Sequence, residues 1–520
     1  MNARAGEIAV VGAGVAYLVA LGWAMGNVSY DIWGALVVIP VYAIIGLAFV
    51  RRMFRGAQQT VARILAWGLL VKLVGALARY WVGFEAYEGG IDAGRYHQFA
   101  VEVAGKVWSG ERSFVTALPH STGTAFLERF TAFVYMLTGG SQLAGFITFA
   151  FLGYVGTVFF VKAAVIAVPT IALRRYAWMC VLIPSIVYWP SSIGKEAVVI
   201  LGLGIGTYGI AVLLAHGRWL SSLPIIVCGL GLVGLIRPHL AGIWVAATVP
   251  ALVVAFVRGS RRTESHSKSR QGGKFGLVVV LFVAIVGLSV LAAATIRFLS
   301  PAADDDTSTG DSLTLILEET ARRTGQAGSN FAPPSVSSPL DWPYAVARTL
   351  TRPLPFEAQG VAQLVAATEM TVLLGIYIMS RRRLANLPRL IVTSPYVMFA
   401  VAALFLAGLA YTSLANLGIL TRQKSLLMPF LALLPCLPER PRLVRPGPGC
   451  RPTQTEWRVR RPEADQLLTL ASVGRSRTQM TTQTSGLKSD RRTADPAGSP
   501  ISPIPPQSHT LAPEVPYKPA

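Results

Sequence analysis

Charge is scarce in this chain, and acid scarcer still. Of 520 residues, 14% are charged, with 26 Asp and Glu against 47 Lys and Arg. A soluble domain carries about 25% charged residues, so the composition excludes an ordinary soluble enzyme. Cysteine is rare too, with four residues. Cys180, Cys228 and Cys436 fall in apolar runs and Cys450 in the C-terminal tail, with no pair at metal-ligand spacing. That leaves neither a zinc site nor a disulfide framework, and no metal-binding residue is assigned. Short alternating strands are missing, which excludes a membrane β-barrel. No glycine-rich phosphate loop follows a strand, so no nucleotide-linked soluble substrate is indicated. No internal repeat stands out, which weakens a transporter built from repeated halves.

What the chain has in quantity is apolar residue, 52% of the total. Runs near the length a bilayer requires recur along most of it. Twelve spans are expected, at 7–26, 32–50, 61–82, 142–165, 176–190, 197–215, 219–236, 239–257, 275–297, 361–379, 391–413 and 425–437. The stretch 124–140 is apolar enough for a re-entrant or interfacial helix. The first run, Ile8 to Met25 after Arg4, has no small-residue cleavage site behind it and reads as a retained helix. The fold class is therefore all-α: a polytopic helical membrane protein over 1–437, with a tail over 438–520. The tail is rich in Pro, Arg, Ser and Thr, cannot bury a core, and is expected to be disordered in the cytoplasm.

Basic residues alternate between connections. Arg51, Arg52 and Arg55; Arg174 and Arg175; Arg218; Arg258, Arg261, Arg262, Lys268, Arg270 and Lys274; and Arg381, Arg382, Arg383 and Arg389 share one set, with Glu264 its single acid. The positive-inside rule makes this set cytoplasmic and places both termini inside the inner (plasma) membrane. The net charge of +21 is then a matter of topology and anionic lipid rather than nucleic acid. The opposite set includes two long external loops, 83–141 and 298–360, both acidic.

Unusual polar stretches gather on that external side. Trp189-Pro190-Ser191-Ser192-Ile193-Gly194-Lys195-Glu196 puts a lysine and a glutamate at a turn between two spans. Charges at membrane depth are costly unless they face a polar cavity or the interface, so this turn is either a structural salt bridge or the lining of a site. In Asp92-Ala93-Gly94-Arg95-Tyr96-His97, a helix would place Asp92 and Tyr96 on one face with His97 close by. Aspartate can serve as base and histidine can shuttle a proton; the bland alternative is a solvated loop. Arg237-Pro238-His239, Arg352 to Glu357, and Asn416 to Lys424 with Arg422 and Gln423 add external cations that run against the charge bias. Planar guanidinium and pointlike ammonium groups at headgroup level suit a lipid-linked phosphate. Two further charges, Lys72 and Glu369, lie inside spans, where a structural ion pair or a proton-coupled path is expected.

These motifs, Asp-x-x-x-Tyr-His, Trp-Pro-Ser-Ser-x-x-Lys-Glu, Arg-Pro-His, Arg-Pro-x-Pro-x-Glu and Asn-x-Gly-x-x-x-Arg-Gln, resemble bacterial polytopic proteins of envelope polysaccharide synthesis. The likeness is to GT-C-type glycosyltransferases and to polysaccharide polymerases, and it covers 1–437. It implies a transferase at the external leaflet using a polyprenyl-phosphate or polyprenyl-pyrophosphate sugar. Asp92 would then deprotonate the acceptor with His97, while Lys195, Arg237 and Arg422 hold the phosphate. Tyr96, His239, Arg352 and Gln423 would complete the substrate site. Glu196 and Glu357 would orient the cations or bind a divalent cation, the one cofactor left open. The expected partners are the lipid-linked substrate and membrane lipids, with no nucleic acid. The competing classes are a transporter or flippase for a lipid-linked glycan, with Lys72 and Glu369 on its path, and a non-catalytic membrane scaffold.

Overall fold

In lipid every backbone polar group must find its partner within the protein, so an apolar chain of this kind spans as helix. The computed structural model describes residues 3–86, 92–118, 121–261, 338–358 and 360–440, together with Ser289 and Phe331. No strand occurs among the described residues. They all fall within one unit, Met1–Cys450. Apart from Ser289, the expected span 275–297 lies outside the described residues, as does the tail beyond 440.

The helices run α1 (Ala3–Asn27), α2 (Tyr30–Met53), α3 (Gln59–Trp81), α4 (Asp92–Trp108), α5 (Phe114–Ala117), α6 (Gly123–Thr138) and α7 (Gln142–Ala167). Then follow α8 (Leu173–Leu182), α9 (Pro184–Tyr188), α10 (Lys195–His216), α11 (Trp219–Ile236) and α12 (Pro238–Arg261). The last group is α13 (Trp342–Thr351), α14 (Val361–Met379), α15 (Arg381–Leu384), α16 (Leu387–Thr393), α17 (Pro395–Tyr411), α18 (Leu417–Lys424) and α19 (Met428–Leu433).

Among the described residues six helices are long and apolar enough to cross a membrane, or up to eight if each bent pair counts as one span. Of the twelve spans expected from the sequence, 275–297 falls almost wholly outside the described residues. The expected span 176–190 is broken into α8 and α9 at Ile183-Pro184, because Pro184 has no N–H for a continuing helix. The span at 391–413 bends by 112° between α16 and α17, just before Pro395. The final span is short and bends by 59° after α18. The stretches Val11–Asn27 and Gln363–Met379 are apolar but shorter.

The core is α7 packed on α10. Small residues set the approach: a Cβ at Gly204 would overlap the backbone of Gly156, and one at Gly229 on α11 would overlap the backbone of Gly206. Ser141 caps α7 by accepting from Ala144 N at 3.1 Å, and Asp31 Oδ1 accepts from Gln142 N at 2.6 Å. The long loop 83–141 is largely helical in its described part, with α4 and α6 packed together.

The basic connections meet at one end of the bundle. Arg175 Nη2 donates to Ser380 Oγ at 2.7 Å, Arg258 Nη1 to the Thr393 carbonyl at 2.9 Å and Arg383 Nη1 to the Leu437 carbonyl at 2.9 Å. Helices α10, α11 and α12 each run between this end and the opposite one, where Lys195, Glu196 and Arg237 lie.

Candidate functional site

At the opposite end, helix termini from distant parts of the chain bring charged side chains together. Glu196, in the first turn of α10, is 1% exposed. Its Oε1 accepts from Arg237 Nη2 at 2.6 Å, and Arg237 caps the C-terminus of α11. Its Oε2 accepts from Arg422 Nη2 at 2.8 Å. Arg422 Nε also lies 2.8 Å from Glu196 Oε1, but its N–H is not directed along that line, so the contact is an ion pair without a hydrogen bond. One buried carboxylate therefore holds two guanidinium groups. Arg422 Nη1 reaches the other way, to Asp92 Oδ2 at 3.1 Å, at the start of α4. Gln423 Oε1 accepts from Arg237 Nη1 at 2.6 Å.

Lys195 donates from Nζ to Thr124 Oγ1 at 2.7 Å and lies within the fields of Arg237, Glu196, Asp92 and Arg422. Tyr96 is buried one turn below Asp92; burial first, then the Asp92 charge, pushes its phenol up to about 12. His239 follows Arg237, feels its charge, and has a buried Nδ1 without a hydrogen-bond partner. Asp92, Tyr96, Lys195, Glu196, Arg237, His239, Arg422 and Gln423 thus form one neighbourhood.

The remaining residues go elsewhere. His97 Nδ1 pairs with Tyr135 Oη at 2.7 Å. Burial lowers the His97 pKa, against a smaller opposing effect of Asp31. Arg352 Nε pairs with Glu357 Oε1 at 2.7 Å, and its guanidinium lies 4.7 Å from the centre of the Phe331 ring. Lys424 is 1% exposed and donates to the Arg352 carbonyl. This makes a second group beside the first, joined to it through α18, which carries both Arg422 and Lys424.

Lys72 and Glu369 do not pair with each other. Lys72 Nζ donates to the Ile186 carbonyl at 2.6 Å and the Val187 carbonyl at 3.3 Å. Glu369 Oε2 accepts from Ser185 N at 2.6 Å. The expectation of an ion pair is corrected: the two charges bracket α9, acid at its N-terminus and cation at its C-terminus. There they satisfy backbone groups left open at the two ends of this short helix, which begins at Pro184 and is followed by Pro190, in the sense that favours the peptide dipoles.

Thr124 and Tyr411 were not expected in the site. Thr124 holds Lys195, and Tyr411 is buried within the fields of Arg237 and Glu196. Neither belongs to a motif, and an isolated Thr or Tyr in an apolar run gives no signal. Arg79 was missed as well: it donates to Tyr188 Oη at 3.0 Å and stacks over Tyr188 and Trp189 at 4.9 and 5.0 Å.

Three cations face two carboxylates here, and a guanidinium carries more N–H donors than these contacts use. Such a group can take an oxyanion. Among the described residues no group of three or more His, Cys, Asp or Glu could hold a metal ion. Glu196 and Glu357, the acids offered to a divalent cation, are each held by arginine. No family model matches the chain, nor does any curated protein or solved structure.

Proposed function

We propose that this protein is an integral membrane glycosyltransferase or glycan polymerase, using a polyprenyl-phosphate or polyprenyl-pyrophosphate sugar. The observation that carries the reading is the joining of Arg237 and Arg422 by the buried Glu196, with Asp92 at the exposed margin. Paired guanidinium groups match phosphate geometry, and apolar helices beside them suit a lipid tail. By charge bias the site lies at the external leaflet of the inner membrane, with both termini cytoplasmic.

In the transfer, Asp92 takes the proton of the acceptor hydroxyl. The acceptor oxygen bonds to the anomeric carbon as that carbon's bond to the phosphate oxygen breaks. The lipid phosphate or pyrophosphate leaves with the electron pair, and Arg237, Arg422 and Lys195 stabilise its charge. His97, bonded to Tyr135, is left out of this step.

The test is transfer of labelled sugar from lipid-linked donors by the full chain in liposomes. Asp92→Asn should abolish transfer, and Arg237→Ala should lower kcat/KM by about 100-fold or more, as for loss of an oxyanion donor. Full activity in Asp92→Asn would end the transferase reading. Carriage of a lipid-linked glycan would then be the better one. A specific observation favours it second: Glu369 Oε1 is buried without a hydrogen-bond partner, within the field of Lys424 at the broken spans.

A further inference from the structure

Asp92 and Glu196 both hold Arg422, but on different terms. The Glu196 side chain is 2% exposed, meets Arg422 through two nitrogens at 2.8 Å, and also binds Arg237. The Asp92 side chain is 57% exposed and makes a single longer contact, 3.1 Å to Nη1. A buried, two-point contact is retained because breaking it strands a charge. An exposed single contact is screened and exchangeable.

Asp92 also has somewhere to go. It stands in the first turn of α4, where the helix terminus favours negative charge, and it is open to water. Released from Arg422, it remains a stable carboxylate. Carboxylate and phosphate are alternative partners for the same guanidinium edge.

We infer that Asp92 occupies an anion position, at Arg422 Nη1, that a phosphate-bearing ligand takes over. Ligand phosphate displaces the carboxylate, stays in the field of Lys195 and Arg237, and leaves Asp92 free beside it. Glu196 does not move, since it fixes both guanidinium groups from the buried side. The use of the freed carboxylate as a base rests on the transferase reading; the anion position does not.

The experiment is equilibrium binding to the purified full chain in nonionic detergent, with inorganic phosphate and a short-chain polyprenyl monophosphate as ligands. Asp92→Asn removes the competing charge and keeps the shape. It should bind polyprenyl monophosphate about fivefold more tightly than wild type, the worth of an exposed ion pair. Arg422→Gln should lose that binding in both backgrounds. Tightening for both ligands would make the phosphate group alone sufficient; tightening for the lipid alone would make the tail part of recognition. Asp92→Ser serves in the same way should Asp92→Asn not fold. Unchanged or weaker binding in the folded variants would overturn the inference. Tighter binding without any transfer by wild type would sink the transferase reading and leave the anion position standing. Transfer lost in Asp92→Asn without tighter binding would do the reverse.

Discussion

Glu196 is the residue on which the site turns. A lone carboxylate at 1% exposure would be costly, and two guanidinium groups offset that cost. Removing one partner from such a buried set costs about 3–5 kcal/mol, so the arrangement constrains all three side chains. His97 belongs to a different set, and its chemistry appears in the pH dependence of stability. Burial holds its folded pKa below the ordinary histidine value. The unfolded chain therefore takes up the proton first as pH falls through about 6.5, and stability drops from there downward. The melting temperature in detergent should fall between about pH 7.5 and about pH 5.5. His97→Gln, which keeps a hydrogen-bonding group for Tyr135, should make that fall smaller. An identical fall in the variant would show that His97 is not the group responsible.

At the scale of elements, two devices hold the bundle together. The first is close backbone packing of α7, α10 and α11 through Gly156, Gly204, Gly206 and Gly229. Small residues allow this approach in lipid, where van der Waals contact does much of the work. Gly204→Val should destabilise by about 1–3 kcal/mol or more, because its side chain meets backbone that cannot yield. Gly22→Val in α1 has nothing within 4 Å of its Cβ and should be nearly neutral. Thermal unfolding of the two variants in the same detergent checks the difference; equal loss would mean that helix propensity rather than packing sets the cost. The second device is the bracketing of α9 by Glu369 and Lys72. A five-residue helix has no strong stability of its own. Its ends are held by side chains from α14 and α3, which locks the turn that leads to Lys195 and Glu196.

For the whole molecule, the chief feature is that basic connections and the arginine–carboxylate cluster occupy opposite ends. If the basic end is cytoplasmic, a cysteine at the exposed Ser109, beyond α4, reacts with an impermeant thiol reagent in intact cells. One at the exposed His216, at the far end of α10, does not. Cys228 is exposed on α11 and is best replaced by serine first. The reverse labelling pattern would turn the site toward the cytoplasm and end the external-leaflet proposal.

The sequence by itself determined the helical class and the long apolar helices, because a lipid-facing backbone is satisfied only as helix or closed barrel and the alternating strands of a barrel are missing. It also determined which polar motifs stand at helix ends, since charge and helix breakers such as Pro190 and Pro238 are local signals. The number of spans was legible only in part. Apolarity does not reveal that two expected spans are broken into shorter helices at Pro184 and Pro395. Only tertiary structure decided that Arg422 bridges Asp92 and Glu196 across 330 and 226 residues of chain. Only it sent Arg352 to Glu357 and His97 to Tyr135, and set Lys72 and Glu369 at the two ends of α9 rather than against each other. The physical reason is the same in each case. A buried charge must find a partner, but which partner it finds depends on which helix ends packing brings within reach, and helix packing is not written in any single motif.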